Sequence, residues 1–390
     1  MVVWFARTLL SLPVILLIGC YSAPVFLPTP EDQKTNEAQS EQWIQAFNEN
    51  AEKQSHIAGL AYPLLVANSD LCGSKVVTEL GIQWIVFNDV VGVVGRVAAI
   101  NLGISHNPYL TVVTPGSPAA KAGLQEGDTL LSLNGSRIGK DRNWVAWVNN
   151  TRLYRWRFNR FLNRALSQRS SITVQYRRGN EILQTDIQPV RRCDFDVFVI
   201  EYSFLASEID GAAVSSSEFS PLNSISYGGT ILISSGLYEW AQTDRELQMF
   251  IAHELAHEIV GHGAHATTWL ISVEPLKRAG LLGDFGRGGF LNFPHPTTPR
   301  RYDQTQEQDA DYLAMYLLAR ADIDVSEYAN IWTLIPDDAP IMDTHGNLEN
   351  RRKVIESTLV EIQTKIDSGL PLDPISSPAL KKNGGTADAS

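Results

Sequence analysis

His253-Glu254-Leu255-Ala256-His257 is the stretch that decides how this chain reads. Two imidazoles stand four residues apart with a carboxylate beside the first. On a helix, positions i and i+4 share a face, so both rings can grip one ion while Glu254 reaches a water beside it. That is the arrangement of a zinc hydrolase, where metal lowers the pKa of water and a carboxylate takes its proton. The helix announces itself as well. Thr243-Asp244-Arg245-Glu246 is a capping box, and Leu247, Phe250, Ile251 and Leu255 recur behind it at helical spacing.

A catalytic zinc also needs a third protein ligand and an open position for water. The extended motif with a third histidine requires a glycine three residues after His257 and a histidine six after. Val260 and Gly263 stand there instead, so that form is excluded. Residues 304–320 read as a second helix, with Ala310, Leu313, Ala314, Leu317 and Leu318 on its apolar side. Glu307 and Asp311 lie four apart on another face. Glu307 suits a ligand and Asp311 the acceptor that orients a ligand histidine, with Asp303, Asp309 and Asp322 as competitors.

The run Asn223-Ser224, Gly228-Gly229, Ile231, Ser235-Gly236-Leu237 and then the metal helix to His262 resembles the HtpX/Oma-type zinc metallopeptidases, a gluzincin family. Glu307-Gln308-Asp309-Ala310-Asp311 matches the family's Glu-x-x-Ala-Asp, and Thr344-His345 with Arg351 matches its late Thr-His-Pro and arginine. Ser224 replaces the usual alanine, and Gly346 the usual proline. The resemblance covers residues 190–360. It implies an α+β fold: a mainly helical peptidase with a small sheet whose edge strand lines the cleft. It implies one Zn2+ on His253, His257 and Glu307, with Glu254 as the base. By the same resemblance Gly229, Thr230, Ile231, Leu232 and Ile233 form the edge along which a substrate peptide pairs; an ordinary buried strand is the alternative. His345 would stabilise an oxyanion or cap the zinc as a gate, against the plainer reading of a surface histidine. His262, His265 and His295 read as structural or exposed.

Upstream, Thr114-Pro115-Gly116-Ser117-Pro118-Ala119-Ala120-Lys121-Ala122-Gly123-Leu124, then Glu126-Gly127-Asp128 and Asn134-Gly135, resemble the PDZ domains of bacterial proteases. Residues 172–176 followed by Arg178-Gly179-Asn180 supply a closing hairpin. The resemblance implies capture of an extended peptide at a sheet edge. Leu102-Gly103-Ile104 is a candidate for the loop that would take a ligand's carboxylate. Cys72 and Cys193 bracket this module, and in an oxidising compartment they are expected to pair and clamp its two ends.

The N-terminus suggests that compartment. Arg7 precedes an apolar run from Leu9 to Ile18, too short to span a membrane. It closes in Leu17-Ile18-Gly19-Cys20, which resembles a bacterial lipoprotein signal, so Cys20 would carry the lipid; a plain signal peptide and an imperfect anchor are the rivals. Tyr21 in place of aspartate resembles the outer-membrane sorting class of a Gram-negative cell. The expected organisation is a signal peptide (1–19), a stalk (20–36), an N-terminal helical segment (37–72), the PDZ domain (80–190), the metallopeptidase domain (191–368) and a disordered tail (369–390).

The net charge is −11, yet basic residues crowd residues 137–192, where Arg152, Arg155, Arg157, Arg160 and Arg164 interleave with aromatics. An acidic, exported chain makes nucleic acid a poor partner. Attraction to an anionic membrane and a solvated helix face remain. The expected function is a membrane-tethered zinc endopeptidase of the cell envelope acting on misfolded or misassembled polypeptides. A binding or chaperone-like adaptor with a latent, gated zinc site is the alternative.

Overall fold

The computed structural model describes residues 30–90, 93–139, 151–168, 170–200, 222–227, 229–262, 268–272, 290–294, 302–335 and 348–374. Cys20 and His345 lie outside these residues, as do His265 and His295.

The chain enters as one long helix, α1 (Pro30–Ala67), with Pro63 inside it. The sequence reading starts this helix at residue 37, after a stalk; the structure starts it at Pro30. Proline is tolerated in a first turn, where no N–H is needed. A two-stranded neck follows, in which β1 (Val76–Glu79) pairs antiparallel with β8 (Val190–Cys193). A disulfide joins Cys72 to Cys193 at this neck, 121 residues apart in sequence.

Between the two neck strands lies a domain of its own. Its elements are β2 (Ile82–Ile85), α2 (Val93–Asn101), β3 (Tyr109–Val113), α3 (Pro118–Lys121), β4 (Thr129–Leu133), β5 (Ser136–Arg137), α4 (Thr151–Gln168), β6 (Ile172–Arg178) and β7 (Glu181–Ile187). The sheet runs β2-β3-β4-β6-β7, with β5 hairpinned onto β4, so β2 is an edge strand. Asn134 (φ 49°) and Gly135 (φ 77°) make the β4–β5 turn, for which left-handed residues are required. Trp84, Leu110, Leu130, Phe158, Ile172 and Val174 fill the core beneath the sheet.

Two expectations change here. The amides of Leu102, Gly103 and Ile104 donate to Ala98, Ile100 and Ala99 carbonyls. They close the C-terminal end of α2 and are spent, so they cannot receive a carboxylate. The arginine-rich stretch is also less of a patch than its composition suggests. Arg155 is buried against Asp89 and over Trp84, Arg178 is paired with Asp128, and Arg192 with Glu79. Arg160 and Arg164 stay exposed on α4, with Arg160 over the exposed Trp156 ring.

After the neck, β9 (Asp196–Ile200), β10 (Ser224–Tyr227) and β11 (Thr230–Ser234) form a small sheet in the order β10-β11-β9. Then come α5 (Ser235–Trp240), α6 (Asp244–Val260), the hairpin β12 (Thr268–Ser272) with β13 (Phe290–Pro294), α7 (Gln304–Arg320), α8 (Tyr328–Leu334) and α9 (Leu348–Asp367). One apolar core joins α1, the β9–β11 sheet and helices α5 to α9. The fold class is α+β.

The expected edge segment, Gly229 to Ile233, is not an edge. β11 is the central strand, antiparallel to β10 on one side and parallel to β9 on the other. A strand whose three central residues, Ile231 to Ile233, are apolar and which is paired on both sides suits the middle of a sheet, and Ile231 and Ile233 are fully buried. The edge on the side of α6 belongs to β10. The β9 edge is partly sealed from α1, because the Gln54 side-chain amide donates to Val199 O (2.7 Å) and accepts from Val199 N (3.1 Å).

Candidate metal centre

α6 begins at Thr243, whose side chain accepts from Glu246 N while Glu246 returns to the Thr243 N–H. It ends at Gly261, in the left-handed conformation (φ 83°) that caps a helix. From Met249 to Val260 every residue is buried. The motif therefore lies on a helix through the middle of the domain, and the two histidines and Glu254 are all within 1% of full burial. α7 packs alongside, started by a reciprocal Asp303–Gln306 cap, and delivers Glu307 to the same point.

His253 Nε2 and His257 Nε2 are 3.1 Å apart. Glu307 Oε2 is 3.3 Å from the first and Glu307 Oε1 is 3.7 Å from the second. Donors around a tetrahedral zinc with bonds of ~2.1 Å lie ~3.4 Å from one another. The three side chains fit such an ion. Both Glu307 oxygens are fully buried, and their contacts with the two imidazoles and with Arg351 are loose, at 3.3 to 3.7 Å, which leaves them able to take a closer cation. Among the described residues this is the cluster able to hold a metal.

The surroundings orient these groups. Asp311 Oδ1 lies 3.1 Å from His253 Nδ1, which directs the His253 Nε2 lone pair inward. Arg351 on α9 grips Asp311 with Nε (2.6 Å) and Nη2 (2.7 Å), sits 3.3 Å from Glu307 through Nη1, and stacks 3.8 Å over Trp332. The Tyr328 hydroxyl donates to Asp311 (3.1 Å). Burial alone would raise the Asp311 carboxyl, but the Arg351 guanidinium holds it well below the usual carboxylate range. Burial works against charge on His253, yet the hydrogen bonds to Asp311 and Glu307 prevail and push its metal-free pKa up to about 9.

His262, read from sequence as structural or exposed, is half-buried with Nδ1 2.9 Å from His257 Nδ1. Burial lowers its pKa to about 4, so it is neutral and can accept from His257, leaving His257 Nε2 to face the ligand position. Tyr302 stacks on the His257 ring at 3.9 Å. Glu254 is held too: Ser224 Oγ at the β10 edge donates to Glu254 Oε1 (2.9 Å). Glu258 fastens the β10–β11 turn by accepting from Gly229 N (3.1 Å).

Ser224, Tyr302, Tyr328 and Trp332 were not expected at the site. Only Ser224 carried a signal, as a departure from the family's alanine. His262 had one in its spacing, since a residue just past a left-handed cap folds back on the last helical turn.

Residues 224–359 match peptidase family M48, and residues 109–150 match a PDZ domain. The chain thus carries an M48 metallopeptidase domain with a PDZ domain inserted ahead of it. No curated protein matches it. Among solved structures it is similar to an HtrA-type protease AlgW with decapeptide, at 17% identity over 30% of each chain and a TM-score of 0.21. It is also similar to the HtrA3 PDZ domain bound to a phage-derived ligand (FGRWV), at 20% identity over 30% of this chain and 88% of that one, with a TM-score of 0.19. Among the described residues no helix is long and apolar enough to cross a membrane.

Proposed function

We propose that this protein is a zinc-dependent endopeptidase of the bacterial cell envelope, tethered to a membrane by a lipid on Cys20, that cleaves misfolded or misassembled polypeptides. The observation that carries the reading is the triangle of His253 Nε2, His257 Nε2 and Glu307, with sides of 3.1, 3.3 and 3.7 Å, beside a buried carboxylate at Glu254. A structural zinc site has no need of that carboxylate.

When bound there, zinc supplies a Lewis acid that acidifies water and polarises a peptide carbonyl. Glu254 takes the proton from water and returns it to the leaving amine. Ser224 fixes the plane of that carboxylate, and Asp311 and His262 hold the two histidine tautomers. The β10 edge carries Ser224, so an extended substrate added there lies against the base. The tether reading rests on Leu17-Ile18-Gly19-Cys20, with Arg160, Arg164 and Trp156 as a secondary attraction to anionic lipid.

The test is hydrolysis of casein by the purified protein, with zinc content measured in parallel. Glu254→Gln is expected to lower the rate 10²- to 10⁴-fold while zinc stays bound. Absence of zinc from the native protein would defeat the reading, and cleavage only in His345→Ala would make the enzyme a gated one. Cys20→Ala is expected to abolish incorporation of a palmitate analogue; labelling that persists would remove the tether.

A further inference from the structure

One side chain ties the neck of the inserted domain to the helix that carries the histidines, and the proposed chemistry does not use it. Lys75 stands at the entrance to β1, just after Cys72. Its backbone is fixed there: its N–H donates to Cys72 O (2.9 Å) and its carbonyl accepts from Asp194 N (2.9 Å). Its side chain leaves the neck, with the ammonium 5.3 Å over the Phe195 ring, and reaches the last turn of α6. There the ammonium donates to Glu258 O (3.1 Å) and lies 3.6 Å from Glu258 Oε2.

Glu258 is buried, and the same Oε2 that faces Lys75 accepts from Gly229 N (3.1 Å). The Gly229 carbonyl accepts in turn from Asp196 N (2.9 Å), the first residue of β9 beyond the neck. Gly229 is thus pinned through both of its backbone groups, at a positive φ (95°) that glycine takes without strain. It closes the turn from β10 to β11. The opposite end of β10 is fixed without help from the neck. Ser234 N donates to Asn223 O (2.9 Å), and Asn223 N donates to Ser234 Oγ (3.1 Å). Ser224, with its bond to Glu254, belongs to that end. Among the described residues no strand pairs with the outer side of β10. This open edge therefore has two anchors: one beside Glu254, the other supplied by Lys75 through Glu258.

We infer that Lys75 and Glu258 are positioning residues for peptide cleavage: they fasten the turn end of β10 to the PDZ neck, so that the edge is already in place when a substrate strand adds to it. This rests on the reading of the chain as a peptidase whose substrate pairs with β10, and it names what holds that edge. An edge that must be ordered at the moment of binding takes its ligand more weakly than one held beforehand. Losing the hold weakens substrate and transition state alike, which raises KM and leaves kcat in place. The anchor at Asn223 and Ser234 keeps Ser224 and Glu254 where they are, so the chemical step is spared.

The test uses the full chain and an internally quenched peptide taken from a casein site that the wild type cuts. Lys75→Met, at a half-exposed position, is expected to raise KM about fivefold with kcat, zinc content and Tm unchanged. Lys75→Arg, which keeps the charge and its donors, should restore KM to within about twofold. Hydrogen exchange followed by mass spectrometry reads the same hold without cleavage: Gly229 and β10 should exchange faster in Lys75→Met, and α6 should not. Removing the neck disulfide by Cys72→Ser with Cys193→Ser should raise KM in the wild type and add nothing in Lys75→Met. Wild-type KM and exchange in an active Lys75→Met enzyme would overturn the inference and leave the peptidase standing, as would effects that simply add to those of the cysteine variant. A fall in kcat with loss of zinc would make Lys75 a support of α6 and overturn it as well. If the wild type cuts nothing, the peptidase reading fails and this inference with it.

Discussion

Arg351 is where the buried charges of the metal centre balance. It is 1% exposed, bidentate on Asp311 and close to Glu307. Arg351→Met leaves Asp311 buried without its cation, and removal of one partner of such a pair costs about 3–5 kcal/mol, read as a fall in Tm. Asp311→Asn keeps the shape but unsettles His253, and zinc affinity measured against a chelator is expected to drop about 10- to 100-fold. The pH dependence has a definite sign. The folded Asp311 pKa is depressed, so its stabilisation is complete above the unfolded value of about 3.9 and is lost as pH falls through the lower folded one. His253 is the opposite case. It must shed a proton to ligate, so zinc uptake by apoprotein at pH 7 should release protons to a weakly buffered solution. The i, i+4 histidines were legible because one helix carries both. Glu307 stands 50 residues from His257, beyond any spacing rule, and needed the family motif to be singled out. Tyr302, Tyr328 and Trp332 reach the site only through packing between helices, which leaves no local mark.

Elements were legible where periodicity or turn chemistry acts within one segment. The capping box of α6, the Asn134-Gly135 turn and the hairpin closing at Gly179 are of that kind. Pairing order is another matter. The run from Thr230 to Ile233 reads as a strand, but whether it sits at an edge depends on β9, some thirty residues upstream. The same limit applies to α4, whose arginines look alike in sequence. Arg155 is held by Asp89, 66 residues away, whereas Arg160 only reaches over Trp156. Arg155→Ala is therefore expected to destabilise the protein by about 3–5 kcal/mol. Arg160→Ala should stay within about 0.5 kcal/mol; chemical denaturation of the two variants separates them.

The whole molecule is a peptidase body with a second domain spliced in through two strands and one long helix. Apolar contacts from α1 reach both sides, with Ile57, Leu60 and Leu64 in the peptidase core and Phe47 against Ile85 and Val90. The Cys72–Cys193 bond spans 121 residues, and on a chain-entropy account closing a loop of that size stabilises the fold by about 5 kcal/mol. Reduction is expected to lower Tm and to shift mobility between reducing and non-reducing gels. An unchanged Tm after verified reduction would mean that the neck strands alone hold the junction.

That bond also makes everything from residue 72 to residue 193 a closed covalent circle. Exposed turns are where proteases nick a folded chain. A single nick inside the circle opens it without releasing a fragment, because both halves remain joined at the sulfurs. The wounded molecule keeps its PDZ domain, and only reduction would let the pieces part.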